Sequence, residues 1–408
     1  MAVDQPLNSK TSQTDEMLTP ETLPELQRAL ADANIDGWLL FDFQGTNPIA
    51  AGALALDGFV TRRVFGWVPR EGVPVAVTHD IEQAPWHRWP KHWKRVHYSS
   101  WKVLEQTLHS LVNGKKVAME YSPGDAVPYL DRVPGGVLEM VRAAGAEIVS
   151  SGALVSRFYA LWTNAQLASH MRAAKFVATT ARAAFEEAGR RSRTSKPITE
   201  YELQQWIAKR FKDASMEFEH DPIVGANENA ANPHYSPSAD SPREIRRGDL
   251  LLIDLWAREH DGIYADQTWM GSLGEPTPRM LEVWTAVRDA RDASIALLRE
   301  RIPKGAVVRG AEVDDAARNL LTARGFGAEF THRTGHSIDS RQLHGAGPHI
   351  DNFESREVRE LIPGLGFSIE PGAYLSGEIG VRAEVNAFIA PGEVIITPLD
   401  YQHDLIVV

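Results

Sequence analysis

Two histidines four residues apart, in HRTGHSID (332–339), have the spacing of one helix face, but Thr334 and Gly335 between them argue against a helix. The pair is open to three readings: metal ligands, a catalytic pair, or polar residues of a turn. Four carboxylates elsewhere narrow the choice. Asp254 lies within the apolar run LLLIDLWA, Asp266 in YADQT, Glu370 directly after GFSI, and Glu384 in VRAEVNAFI. A carboxylate in a buried strand needs a cation to offset its desolvation, and acids on adjacent strands repel unless a cation lies between them. Taken alone, Asp254 and Asp266 read as readily as a pair of edge-strand acids facing water. Four together, all in strands that otherwise read as core, form with His336 a set of oxygen and nitrogen donors suited to a pair of divalent metals.

These residues have to be brought together by strands from distant parts of the chain. The runs DLLLIDLWARE (249–259) and GIYADQTWMGS (262–272) flank His260, Asp261 and Gly262 and read as a hairpin by the Asp-Gly turn signal. The C-terminal strands are expected near GFSIEPGAYL, IGVRAEVNAFIA and EVIITP. Ahead of the hairpin, a long helical stretch opens at Thr163, and Thr199 with Glu202 forms a capping box that starts a second helix. GANENAANPHYSP has the composition of a loop. Helices follow around Met280, Trp284 and Val287 and over 312–324, so a helix-hairpin-helix succession occurs twice in outline, as a pseudo-symmetric α+β domain would show.

Upstream, strands alternate with helices from PELQRALADANIDGWLLFDF to LEMVRAAGAEIVSS, which predicts a separate α/β domain. The organisation expected is a disordered tail over 1–18, an N-terminal α/β domain over 19–157 and a second domain over 163–408. The N-terminal domain gathers no catalytic residue types and reads as a substrate-shaping or oligomerisation domain.

With 408 residues, two domains can each bury a sizeable core. A formal net charge of -11 disfavours nucleic acid as a partner, because phosphate binding needs a basic surface. WHRWPKHWKRVHY (86–98) argues locally the other way, since its cations and aromatics could stack on bases. The simpler reading is a surface strand or loop whose tryptophans pack on a neighbouring domain or subunit. The absence of cysteine excludes disulfides, thiolate metal sites and a cysteine nucleophile. The polar N-terminus and the lack of a long apolar run predict a cytoplasmic protein with no membrane partner.

In order, IDLWAREHDGIYADQT, HRTGHSI, FSIEPGAY and VRAEV resemble the motifs of the pita-bread metallopeptidases, a family that includes methionine aminopeptidases, Xaa-Pro aminopeptidases, prolidases and creatinases. The motifs cover the C-terminal half, and the preceding α/β domain resembles that of the prolidase, Xaa-Pro aminopeptidase and creatinase branch. The resemblance implies an α+β fold: a pita-bread catalytic domain behind a creatinase-type α/β domain. It implies a dinuclear-metal hydrolase that cleaves the bond before proline in Xaa-Pro dipeptides or short peptides through a metal-bridging hydroxide. The ligands it implies are Asp254, Asp266, His336, Glu370 and Glu384, with Asp266 and Glu384 bridging. Glu370 would also move the proton, His344 in LHG would stabilise the tetrahedral intermediate, and His234 in NPHYSP would contact substrate. His332 is then a supporting or structural residue. Manganese is the first expectation for both metals, with zinc, cobalt and iron as alternatives; a homodimer is the expected assembly.

The chain also departs from the family pattern. Asp254 and Asp266 are twelve residues apart and His336 and His344 eight, each one more than is usual, as an extra residue in a turn or a bulge would give. After Asp266 the family often has Asp-Ile-Thr-Arg-Thr, whereas here Trp269 takes the arginine's place. Arg382, two residues before Glu384, should share its face of the strand. Its fork would either bind the C-terminal carboxylate of a dipeptide substrate or balance Glu370 and Glu384. The competing functions are a non-peptidase enzyme on the same scaffold, either a creatinase-like amidinohydrolase or a carbon-sulfur lyase, and a binding protein on a dead scaffold. Five intact ligands argue against the last.

Overall fold

The structure, a computed structural model, describes residues 17–58 and 60–408. Most of the tail expected over 1–18 lies outside the described residues; Met17 and Leu18 are described and both are buried. The chain divides into two compact units, Met1–Ala160 and Leu161–Val408.

The first unit is built on one mixed sheet. Its elements run α1 (Leu23–Asp32), β1 (Gly37–Asp42), α2 (Pro48–Ala53), β2 (Val64–Pro69), β3 (Val75–His79), β4 (Lys94–Tyr98), α3 (Trp101–Val112), β5 (Lys116–Met119), α4 (Gly135–Ala143), β6 (Glu147–Ser150) and α5 (Gly152–Phe158). The sheet order is β4-β3-β2-β1-β5-β6, with β2 antiparallel to both its neighbours and the other pairs parallel. Leu104, Leu108 and Val112 of α3 and Val137, Leu138 and Val141 of α4 recur at helical spacing and bury one face of the sheet. Trp86, Trp89 and Trp93 do not form a surface for bases. All three are buried, stacked edge to face with ring centroids 5.1 and 4.9 Å apart, and serve as core of this unit.

The second unit runs α6 (Asn164–Arg191), α7 (Glu200–Asp213), β7 (Ile223–Ala226), β8 (Leu250–Ala257), β9 (Ala265–Ser272), α8 (Pro278–Arg301), α9 (Gly310–Ala323), β10 (Gly366–Ile369), β11 (Gly372–Leu375), β12 (Ile379–Arg382), β13 (Val385–Ala390), β14 (Glu393–Thr397) and β15 (Ile406–Val407). The capping box at Thr199 is present, with Glu202 N donating to Thr199 Oγ1 at 3.1 Å and Thr199 N to Glu202 Oε2 at 3.1 Å. β8 and β9 are buried on both faces. Leu251, Ile253, Leu255 and Trp269 pack with Ala174, Val177 and Phe185 of α6, while Leu250, Leu252 and Met270 point the other way, toward α8. Period two therefore puts Asp254 and Asp266 on the side away from α6.

The hairpin ladder is continuous from Leu250↔Ser272 to Ala257↔Ala265. The extra residue between the two aspartates is thus taken up in the connection 258–264, where Asp261 adopts φ 56°, and makes no bulge in the strands. Of the three C-terminal segments expected as strands, EVIITP forms the single strand β14, while GFSIEPGAYL and IGVRAEVNAFIA are each broken in two. β10 pairs with β13 and β11 with β12, in separate sheets, and the breaks fall at Glu370-Pro371 and Ala383-Glu384. Proline cannot donate to a ladder, which accounts for the first break.

Candidate metal centre

Each acid of the site is delivered by a different constraint. Asp254 pairs with Thr268 across the hairpin and Trp256 with Asp266, so the two aspartates are diagonal neighbours on one face. Glu370 and Glu384 sit at the two strand breaks, next to the Ile369↔Val385 pair. The sheets are tied together at this point by Asn386, whose amide donates to Asp266 O at 2.8 Å and accepts from Asp266 N at 3.0 Å.

His336 arrives on an extended segment, not a helix. Gly335 bridges Ile350 and Ser337 bridges Phe367, so residues 334–338 run beside β10. His336 N donates to Ser368 Oγ at 2.9 Å and Ser368 N to His336 O at 2.8 Å. Gly335 is needed here because a Cβ would collide with the Ser368 carbonyl.

The side chains converge. Donor atoms of Asp266, His336 and Glu384 all lie within 4.8 Å of one another. His336 Nε2 is 3.3 Å from Asp266 Oδ2 and 3.5 Å from Glu370 Oε1. Glu370 accepts from Ser368 Oγ at 2.9 Å, and Glu384 Oε2 from Thr268 Oγ1 at 2.8 Å. Asp254 Oδ1 and Glu384 Oε1 are buried with no hydrogen-bond donor. Burial, then the neighbouring Asp254 and Glu370, hold Asp266 well above the usual carboxylate range; burial and the three other acids do the same to Glu384. Burial pushes Glu370 up to about 7 against the pull of Arg382, and raises Asp254 likewise. Burial, then His344 and Arg333, keep His336 well below its ordinary value and hence neutral. Mutually repelling acids with two orphaned oxygens, beside an unprotonated imidazole, are a donor set that fits divalent cations.

The two further histidines lie at the edge. The His344 ring lies against that of His336, tilted by 45° with centroids 4.0 Å apart, and desolvation with Arg333 nearby pushes it down to about 4. His234 is exposed, in the loop after β7, close enough for its charge to act on Asp254 and His344.

Arg382 is buried and its guanidinium is engaged within the protein. Nε donates to Thr268 Oγ1 at 2.8 Å, Nη1 to Tyr374 Oη at 3.1 Å, and Nη2 pairs with Asp254. The geometry therefore favours charge balance over the binding of a substrate carboxylate: Arg382 pairs directly with Asp254, and its charge also acts on Glu370 and Glu384. His332 lies behind it. His332 Nδ1 is 2.6 Å from the Arg333 carbonyl, which can only accept, so the ring proton is on Nδ1 and Nε2 accepts from the Tyr374 hydroxyl at 2.7 Å. Arg382 is thus the donor at the centre of the chain, giving through the Tyr374 hydroxyl to His332 on one side and directly to Asp254 on the other.

Sequence reasoning missed Thr268, Ser368, Tyr374 and Asn386. Thr268 and Ser368 carried a signal, since each lies two residues from an acid in an apolar strand and so on its face. Trp269 does not enter the site: it faces α6, where Arg182 stacks on it at 4.7 Å and its Nε1 donates to Gln267 at 2.9 Å.

The model of metallopeptidase family M24 matches residues 169–391. The chain is 36% identical over 169 residues to an Xaa-Pro dipeptidase of Lactobacillus delbrueckii subsp. lactis, covering 41% of this chain and 42% of that protein. It is 32% identical over 187 residues to a probable dipeptidase PepE of Mycobacterium bovis, 46% of each chain. The matched stretch thus spans less than half the length of these curated relatives. Among solved structures, dipeptidase PepE from Mycobacterium ulcerans superposes with a TM-score of 0.70 over 95% of this chain and 96% of its own at 22% identity. A prolidase from Thermococcus sibiricus gives 0.64 over 95% and 98% at 21% identity. The two-domain fold with a pita-bread C-terminal half is shared with both.

Proposed function

Since the chain belongs to metallopeptidase family M24, we propose that it is a dinuclear-metal peptidase that cleaves the bond before proline in Xaa-Pro dipeptides or short peptides. The observation that carries this reading is the convergence of Asp266, His336 and Glu384 within 4.8 Å, with buried, partnerless oxygens on Asp254 and Glu384. Asp254, Asp266, His336, Glu370 and Glu384 would hold two divalent cations. Such cations, when bound, polarise a scissile carbonyl and make hydroxide available from water near neutral pH.

The remaining work falls to the chain's own groups. Glu370, held by Ser368 Oγ at 2.9 Å, takes the proton of the attacking water and passes it to the leaving nitrogen. That transfer matters for an Xaa-Pro bond, because the proline nitrogen carries no hydrogen and leaves as an amine only after gaining one. His344, neutral in its surroundings, donates a hydrogen bond to the developing oxyanion, and His234 contacts the substrate from its exposed loop. Oxygen donors with one imidazole make manganese the first cation to test, ahead of zinc, cobalt and iron. The reading extends to a homodimeric, cytoplasmic enzyme. Among the described residues no helix is long and apolar enough to cross a membrane.

The test is a dipeptide panel run on manganese-loaded protein. Turnover of Xaa-Pro in preference to Xaa-Ala, abolished by a chelator and restored by the metal, is expected. Absence of any peptide turnover, with breakdown of an amidine or a thioether substrate instead, would replace peptidase with the alternative chemistry on this scaffold.

A further inference from the structure

His344 is carried by a loop whose conformation is not set by any ladder. Its N-terminal end is fixed: Ser337 bridges Phe367, and Ile338 N donates to Gly366 O at 3.0 Å. Its C-terminal end returns to the same place, since Gly345 N donates to Ser337 O at 2.7 Å. Between them the chain makes an excursion of six residues, 339–344, that also absorbs the additional residue in the His336–His344 spacing. No strand pairs with it, and an excursion of this length has many conformations open to it.

The loop is gathered from within by Asp339. This side chain is buried, 4% exposed, and its carboxylate points inward. Oδ1 accepts from Arg341 N and Gln342 N, each at 2.8 Å, and Oδ2 from Ala346 N at 3.3 Å. The two oxygens thus bind amides on both sides of His344 at once. Gly345 permits the closure, because a Cβ there would lie 2.8 Å from Asp339 Oδ2. From outside, the Arg258 guanidinium donates to the Ser340 carbonyl, and Trp162 Nε1 to Ile338 O at 2.7 Å. The outcome is a His344 ring held 4.0 Å from that of His336.

We propose that Asp339 is the positioning residue for His344: an internal carboxylate clamp that aims the imidazole at the reacting carbonyl without touching substrate or cation itself. The proposal rests on the reading of His344 as the oxyanion donor. A neutral side chain with one acceptor oxygen should serve in part. In Asp339→Asn, Oδ1 still accepts from Arg341 and Gln342, while the amide nitrogen faces the Ala346 N–H and that end of the loop is released. Asp339→Ala removes all three bonds.

The experiment is a double-mutant cycle on the metal-loaded full chain, using an Xaa-Pro dipeptide, with hydrogen exchange read alongside. Asp339→Ala should lower kcat by about 10- to 100-fold, the usual scale for misplacing a catalytic group by roughly an ångström, with metal content unchanged. Asp339→Asn should fall between it and the parent. In a His344→Ala background the same Asp339→Ala change should lower kcat by less than about twofold, because the group it positions is gone. Backbone exchange in Asp339→Ala should accelerate over 340–346 and nowhere near Asp254 or Asp266. A full loss of kcat in the His344→Ala background, or loss of metal from Asp339→Ala, would overturn the proposal, as would unchanged exchange over 340–346. If the parent protein turned over no Xaa-Pro peptide, the functional reading would fail by itself. The clamp would then stand or fall on exchange: acceleration confined to 340–346 keeps it, and unchanged exchange removes it.

Discussion

Replacing Arg382 with methionine tests whether Asp254 belongs to a cation site. In the metal-free protein, Asp254 is buried and the charge that most offsets its desolvation is the Arg382 guanidinium paired with its Oδ2. Removing one partner of a buried pair leaves an uncompensated charge and costs about 3–5 kcal/mol. With cations bound, Asp254 is compensated from its other side, and what is lost is the hydrogen bonds to Thr268 and Tyr374. Both of these hydroxyls keep a second partner, Glu384 and His332 respectively, so the loss should be only about 1–2 kcal/mol. For a unit of the size of Leu161–Val408, one kcal/mol corresponds to roughly 2–4 °C in Tm. Arg382→Met should therefore lower Tm by about 6–20 °C in chelator and by about 2–8 °C with saturating manganese. Thermal unfolding of both proteins in both conditions reads the difference. Equal shifts with and without metal would mean that no cation takes over the compensation of Asp254, and its assignment as a ligand would be withdrawn. The same variant separates the two roles considered for the guanidinium. An engaged Arg382 predicts that kcat/KM for an Xaa-Pro dipeptide and for its amide fall by the same factor; an unaffected amide would restore the carboxylate-binding role.

Purified protein should hold close to two equivalents of divalent metal by elemental analysis, with Asp254→Asn losing one and Glu384→Gln, a bridging ligand in this reading, losing both; full retention by Glu384→Gln would contradict it. His344→Ala should lower kcat by roughly 10²- to 10³-fold, the cost of one oxyanion donor, with its metal intact. His170, buried between Tyr264 O at 2.8 Å and Thr397 Oγ1 at 2.7 Å, is pushed down to about 4 by burial. Its folded value is below its unfolded one, so the unfolded chain binds the extra proton and stability falls as pH drops from about 6.5 toward 4. Between pH 7 and pH 5 this amounts to about 2 kcal/mol, which urea unfolding should find missing from the pH dependence of His170→Gln.

The acids of the site were legible because a carboxylate in an apolar run violates its surroundings, and that violation is visible in one dimension. Asp254 in LLLIDLWA is such a case. The groups that orient the acids were not legible by the same means. Asn386 joins β13 to β9 and Tyr374 joins His332 to Arg382, and each contact is made between segments that are remote in sequence or separated by a turn. A threonine, an asparagine or a tyrosine in a strand is unremarked by composition. Trp86, Trp89 and Trp93 show the converse, a local pattern that left open a base-stacking surface beside the simpler reading of tryptophans packed on a neighbouring domain or subunit. Spacing alone does not tell whether rings interleaved with cations face water, and here the indoles turn inward onto one another while the cations carry the outer side.

The strand breaks explain why the site forms where it does. An unbroken strand through residues 366–375 would give its alternate side chains to the same two faces throughout, and both faces are needed for apolar packing. Instead the halves on either side of Glu370 and Glu384 serve different cores. Phe367, Ile369, Val385, Ala387 and Ile389 pack with Ile295 and Leu298 of α8 and Val313 of α9, while Ala373, Leu375, Ile379 and Val381 pack with Met280, Val283 and Trp284 at the start of α8. At the junction Ala383 still packs in the second of these cores, whereas Glu370 and Glu384 belong to neither, and the Glu370 backbone is held from outside the strand pair, its N–H donating to Thr334 O at 2.6 Å. Glu370 and Glu384 are therefore free to turn toward the face that already carries Asp254 and Asp266. Pro371 enforces the junction from within the sequence. It lies directly after Glu370, and was the one signal in the FSIEPGAY motif that the strand, and with it the hydrophobic core, had to be interrupted at the acid.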